Sequence, residues 1–164
     1  MPLEPILHEM AARYKRIRSG LDVGFGDEDV TNMLRDFRGG VWMSIGARSS
    51  FPFADEQFEV VVMNGNIVSR DIIREANRVL RPEGCLFFTV PERTGGQTVG
   101  LTVPETYRMI REGFDILAVR RPKWWFFRRR GRTLTVCARK KAWREHKSFI
   151  REGSLPFTPF RSRS

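Results

Sequence analysis

The run Phe58-Glu59-Val60-Val61-Val62-Met63 is apolar at every position but Glu59. A half-exposed strand alternates apolar and polar residues, so a continuous apolar run implies a strand covered on both faces, as in a parallel sheet flanked by helices. Asn64-Gly65-Asn66 then breaks the chain. The spacing predicts a helix from Ser69 to Leu80, with Ile72, Ile73, Ala76, Val79 and Leu80 on one stripe and Pro82 barring its continuation. Cys85 to Val90 supplies the next buried strand. Strand, helix and strand in this order make a βαβ unit with a right-handed crossover.

Upstream, Ile6, Leu7, Met10, Ala11, Tyr14 and Ile17 recur at helical spacing, which predicts an amphipathic helix over residues 4 to 18 stopped by Ser19-Gly20. A short strand, Gly20 to Val23, enters the turn Gly24-Phe25-Gly26. Asp27, Glu28 and Asp29 then place acids where a helix dipole favours them, and the helix from Val30 to Phe37 ends at Gly39-Gly40. Val41 to Ile45 is a strand by its β-branched and aromatic content. Downstream, a short helix after Pro104 ends at Gly113. Strands at Phe114 to Arg120 and Arg132 to Arg139 most economically pair as an antiparallel hairpin.

With 164 residues, 41% of them hydrophobic and 13 of them Phe, the chain has room for one domain with a real core. Cys85 and Cys137 each sit in an apolar run and read as buried free thiols in a reducing compartment. Cys-x-x-Cys and clustered His are absent, so no metal site is expected, and His8 and His146 read as surface residues. No run approaches the length of a membrane span and the first residues lack the order of a signal peptide, so a cytoplasmic protein is the default expectation.

Two segments carry a resemblance to a known family. Phe51-Pro52-Phe53-Ala54-Asp55-Glu56-Gln57-Phe58-Glu59-Val60-Val61-Val62 and Glu75-Ala76-Asn77-Arg78-Val79-Leu80-Arg81-Pro82-Glu83-Gly84 resemble the second half of a class I S-adenosylmethionine (SAM)-dependent methyltransferase, of the small type-11-like kind. The resemblance covers about residues 20 to 143. It implies an α/β fold, a doubly wound, mostly parallel sheet closed by a C-terminal antiparallel hairpin. Such domains usually need roughly 200 residues, so about one βα unit is expected to be missing. The implied organisation is a methyltransferase-like domain over residues 1–143, including the N-terminal helix, and a basic extension over 144–164.

The family binds SAM at a glycine-rich turn after its first strand. Asp22, Gly24 and Gly26 match that motif, with Asp27 beside them and Glu28 in place of the third glycine. A strand-to-helix turn at the carboxyl end of a parallel strand is where nucleotide ligands bind. Val41 to Ile45 aligns with either the second or the third strand of the family. As the second, it ends in Gly46 without the acid that would hold the ribose. As the third, it places Ala47 where an Asp would meet the adenine. Met63 and Asn64 fall where the family lines the adenosine or presents a catalytic group, so Asn64 is the candidate for orienting a methyl acceptor.

The 29 Lys and Arg outnumber 19 Asp and Glu, a net charge of +10 that favours a polyanionic partner or surface. The charge concentrates at Arg120, Arg121, Lys123, Arg128, Arg129 and Arg130, which surround Trp124-Trp125-Phe126-Phe127. That combination suits single-stranded nucleic acid, an anionic membrane surface, or aromatic core packing beneath a solvated basic face. Two functions follow: a SAM-dependent methyltransferase with an unidentified acceptor, or a catalytically inactive methyltransferase-like binding or scaffold protein with RNA as a candidate partner. A sheet edge left bare by the missing unit would invite pairing between copies of the chain.

Overall fold

The computed structural model describes residues 3–26, 28–64, 67–93, 100–121 and 133–142. Within them the elements run α1 (Leu3–Arg13), β1 (Ser19–Val23), α2 (Glu28–Arg38), β2 (Val41–Ile45), β3 (Phe58–Asn64), α3 (Arg70–Val79), β4 (Leu80–Pro91), α4 (Val103–Ile110), β5 (Phe114–Arg120) and β6 (Thr133–Lys140). The strands form one sheet in the order β2-β1-β3-β4-β6-β5. β2, β1, β3 and β4 are parallel, and β6 lies antiparallel between β4 and β5. The expected mostly parallel α/β sheet with a C-terminal antiparallel hairpin is therefore what this sequence forms.

Side chains of the central strands alternate between two cores, as a period of two requires. Val60 and Val62 of β3, with Cys85 and Phe87 of β4, pack under α1 and α2 with Leu3, Ile6, Met10, Val30 and Leu34. Val61 and Met63, with Leu86, Phe88 and Val90, pack on the other face under α3 and α4 with Ile72, Ile73, Ala76, Val79 and Ile110. Both faces of β3 are filled, which is why its sequence is nearly continuous in apolar residues. Ser69 caps α3 by accepting from the Ile72 amide, and Thr102 with Glu105 forms a reciprocal capping box at α4.

The topology settles which strand Val41 to Ile45 is. It pairs with β1 on the side opposite β3, so it occupies the second-strand position of a doubly wound sheet. The outer strand of that half is the missing piece among the described residues. The chain goes from β2 to β3 by an irregular segment, residues 46 to 57, instead of a further βα unit. Arg78 of α3 pins that segment. Its guanidinium donates to the carbonyls of Phe53 (2.8 Å) and Phe51 (3.0 Å), to Asp55 (2.7 Å) and to both oxygens of Glu75, and Glu75 in turn accepts from the Phe51 amide at 2.7 Å. Phe51 is buried in the core, and Phe53 meets Phe58 edge to face at 5.0 Å.

Several boundaries differ from expectation for identifiable reasons. The first helix stops at Arg13, not residue 18, because the Ile17 amide donates to the Arg38 carbonyl (3.2 Å) and is no longer free for a helical bond. Tyr14 and Ile17 still face the core, Tyr14 meeting Phe87 edge to face. The second helix begins two residues earlier than expected and ends at Arg38. β4 starts at Leu80, directly after α3, and its register against β3 shifts between Phe58 and Val60. Cys85 and Cys137 are buried and unbridged on adjacent strands. No helix among the described residues is long and apolar enough to cross a membrane. The expected basic extension, residues 144–164, lies outside the described residues.

The hydrogen bond from Arg78 holds the Glu75 carboxyl below its usual pKa, with the Phe51 amide adding to the effect. A carboxyl with a lowered folded-state pKa stabilises the fold above its unfolded pKa, and that contribution is lost as pH falls through the folded value. Arg78→Met is expected to cost about 2–3 kcal/mol of unfolding free energy near neutral pH, since it strips charge-assisted hydrogen bonds from partly buried groups. Urea titrations should show the gap between variant and wild type narrowing as pH falls below the ordinary glutamate pKa of about 4.3 toward the lowered folded-state value of Glu75.

Candidate functional site

The carboxyl ends of β1, β2 and β3 meet at one rim of the sheet. β1 leaves through Gly24 and Gly26, both in the left-handed region with φ of +82° and +62°, and enters α2. Only residues without a Cβ adopt this conformation at no steric cost, so two glycines two apart are needed for the turn. The Gly24 amide donates to the Ile45 carbonyl at 2.8 Å, joining the turn to β2. Asn64 at the end of β3 donates its Nδ2 to the Gly24 carbonyl at 3.3 Å. Three strand ends are thereby fixed around one turn.

A groove of about 480 Å³ opens beside it, lined by Gly26, Thr31, Asn32, Arg35, Ser44, Ile45 and Gly46. Asp22 forms the support behind its wall. Fully buried, Asp22 accepts from the Thr31 hydroxyl at 3.3 Å and the Ser44 hydroxyl at 3.0 Å, tying β1 to α2 and to β2. Arg35 donates to the Asn32 carbonyl oxygen Oδ1 at 3.2 Å. Among the described residues the groove lining carries hydroxyls, an amide and a guanidinium, and no carboxylate. The two glycines differ in what surrounds them. Among the described residues a Cβ on Gly26 would meet nothing within 4 Å, whereas one on Gly24 would stand 2.4 Å from the Ile67 Cδ1.

The sequence-derived site residues separate into groups. Gly24, Gly26 and Asn64 meet at the turn, Gly46 stands at the rim of the groove and Ala47 is exposed next to it. Asp22 braces the groove from beneath. Met63 is fully buried in the core under α3, so its side chain does not line the groove. Asp27 lies outside the described residues. The aromatic side chains capable of blocking the cleft pack elsewhere: Trp42 on Gly20, Phe53 on Phe58, and Phe25 against the α1–α2 core. Thr31, Asn32, Arg35, Ser44 and Ile67 were not anticipated. The only sequence signal for the helical trio was polar residues at i, i+1 and i+4 just after a glycine turn.

A larger concavity, about 770 Å³, lies at the opposite rim and is lined by Arg13, Tyr14, Lys15, Arg16, Arg18 and Glu59. It sits at the amino ends of β1 and β3, where open α/β sheets do not ordinarily bind their ligands. Of the residues considered for a polyanionic partner, Arg120 pairs with Glu9 at 2.6 Å and Arg121 grips Glu92 with two nitrogens at 2.6–3.1 Å. Both stay well exposed at their solvent side. Lys123, Trp124, Trp125, Arg128, Arg129 and Arg130 lie outside the described residues.

No family model matches the sequence, and no curated protein matches it. Solved structures do. A SAM-dependent methyltransferase from Aquifex aeolicus superimposes with a TM-score of 0.64 at 15% identity, over 85% of this chain and 89% of that one. The fold is that of the SAM-dependent methyltransferases. A 1,6-didemethyltoxoflavin N1-methyltransferase from Burkholderia thailandensis, crystallised with S-adenosylhomocysteine, gives 0.62 at 18% identity over 85% and 77% of the two chains. The cyclase SpnF gives 0.59 at 16% identity over 85% and 80%. A cyclase on the same scaffold shows that the methyltransferase fold leaves the reaction to be decided by the site.

The two glycines of the turn should respond differently to substitution. Gly24→Ala is expected to destabilise by more than about 2 kcal/mol, because left-handed strain adds to a clash with Ile67. Gly26→Ala carries the backbone term alone, about 1 kcal/mol. Thermal melts of the two variants should therefore be clearly separated, with Gly24→Ala the lower.

Proposed function

We propose that this chain is a SAM-dependent methyltransferase whose cofactor lies across Gly26 in the groove bounded by α2 and the end of β2. The observation that carries the reading is the open space that the described residues leave over Gly26 at the carboxyl end of β1, on a sheet that solved methyltransferases share. Bound SAM would supply an electrophilic sulfonium methyl. The described residues divide the work of holding it. The glycine turn lets the backbone approach the cofactor closely. Ser44, Asn32 and Thr31 offer hydroxyl and amide groups on the adenosine side, replacing a ribose carboxylate that the end of β2 does not provide.

Ile67 against Gly24 directs the cofactor toward Gly26 and away from the first glycine. Asn64 acts as a positioning residue: its bond to the Gly24 carbonyl sets the turn from the side where an acceptor would approach. Methyl transfer to a nucleophile already in line with the sulfonium needs orientation more than a dedicated base. Asp22 contributes by holding Thr31 and Ser44 in place.

Isothermal calorimetry with SAM and with S-adenosylhomocysteine tests the proposal directly. Binding is expected for both, and Gly26→Val is expected to weaken it at least tenfold by filling the space over the turn. Absence of heat at millimolar ligand would refute the reading. Met63→Leu, a conservative change in the core, should leave the affinity within about twofold.

A further inference from the structure

The two edges of the sheet are built differently. At one, β5 carries Asp115 and Arg120, both exposed, and a bulge between Ile116 and Ala118. Charges and bulges of this kind keep an edge from pairing with another strand. At the other, β2 is Val41-Trp42-Met43-Ser44-Ile45, with no charge, no proline and an unbroken register against β1. Among the described residues nothing pairs with its outer side. Val41 is 69% exposed and Met43 41%, on the same face as Ile45.

The direction of the hydrogen bonds shows what that edge offers. The Val41 amide donates to the Arg18 carbonyl and the Ile45 carbonyl accepts from the Gly24 amide. In a parallel ladder the bonding groups of alternate residues point the same way, so those of Val41, Met43 and Ile45 face β1 and those of Trp42 and Ser44 face outward. A strand presenting two such residues on either side of a central one is self-complementary in the antiparallel sense.

We propose that two copies of this chain pair through β2 about a twofold axis at Met43, joining their sheets into one. Trp42 of each copy exchanges backbone bonds with Ser44 of the other. Met43 meets its own counterpart at the axis as a non-hydrogen-bonded pair, and Val41 lies opposite Ile45. The apolar strip Val41–Met43–Ile45 is then continuous across the junction, and no like charges face each other within the paired strands. The contact takes the place of the missing outer strand and is independent of the cofactor reading, since its readout is molecular size. Because each copy carries +10, the dimer should strengthen as salt rises.

Sedimentation equilibrium of the wild-type chain is expected to give twice the 19.1 kDa of one copy, and Met43→Lys, an exposed position, to give one. Circular dichroism should show Met43→Lys folded. Met43→Cys should form an intermolecular disulfide under mild oxidation, because Cβ atoms of a directly opposed pair lie roughly 4.5–5.5 Å apart. Leu117→Cys on β5 should not. A wild-type chain that stays monomeric at high concentration and salt overturns the proposal. So does a dimer that survives Met43→Lys, or one in which Met43→Cys fails to cross-link.

Discussion

Burying both faces of β3 is the constraint on which the rest of the structure depends. Val60, Val61, Val62 and Met63 are all inaccessible to solvent, and the backbone between them can be satisfied only by neighbouring strands. β1 and β4 supply those neighbours in parallel, so each strand must be reached by a crossover on one face or the other. α2 lies on one face and α3 on the opposite one, and the end of every central strand is left at the same rim. The groove beside Gly26 lies at that rim, between α2 and the end of β2.

The same constraint made much of the fold legible in advance. Val41 to Ile45 and Phe114 to Arg120 were readable residue for residue, because their ends coincide with Gly, Pro or charge. The first helix was misjudged because Tyr14 and Ile17 continue the helical spacing of apolar residues while serving a different purpose. Their side chains face the core, yet Ile17 bonds the end of α2 through its backbone. Side-chain periodicity reports burial and cannot by itself distinguish a helix from a well-packed loop. The strand identity of Val41 to Ile45 needed the pairing partner, which is a long-range fact.

The site was legible where backbone geometry demanded a residue type and hidden where side chains from separate segments meet. Gly24 and Gly26 were visible because left-handed turns require them. Ile67 against Gly24 was not, since nothing in a lone isoleucine after a strand indicates the space it fills. Asp22 was identified by its place in the motif; what its surroundings add is that it accepts from two hydroxyls at the groove, Thr31 and Ser44. Met63 was named because the resemblance lines the adenosine with the residues there; strand alternation turns its side chain into the core beneath α3.

The insertion of β6 between β4 and β5 sets an order of events during folding. Among the described residues β5 pairs with the rest of the sheet only through β6, and β6 ends at Lys140. Lys140 itself donates from a buried position to the Leu80 carbonyl at 2.7 Å, sixty residues back along the chain. While the chain is being synthesised, the outer side of β4 therefore remains unpaired until nearly the whole domain has emerged. Loop closure over such separations is slow, and an apolar strand held open for that time is a natural substrate for chaperones.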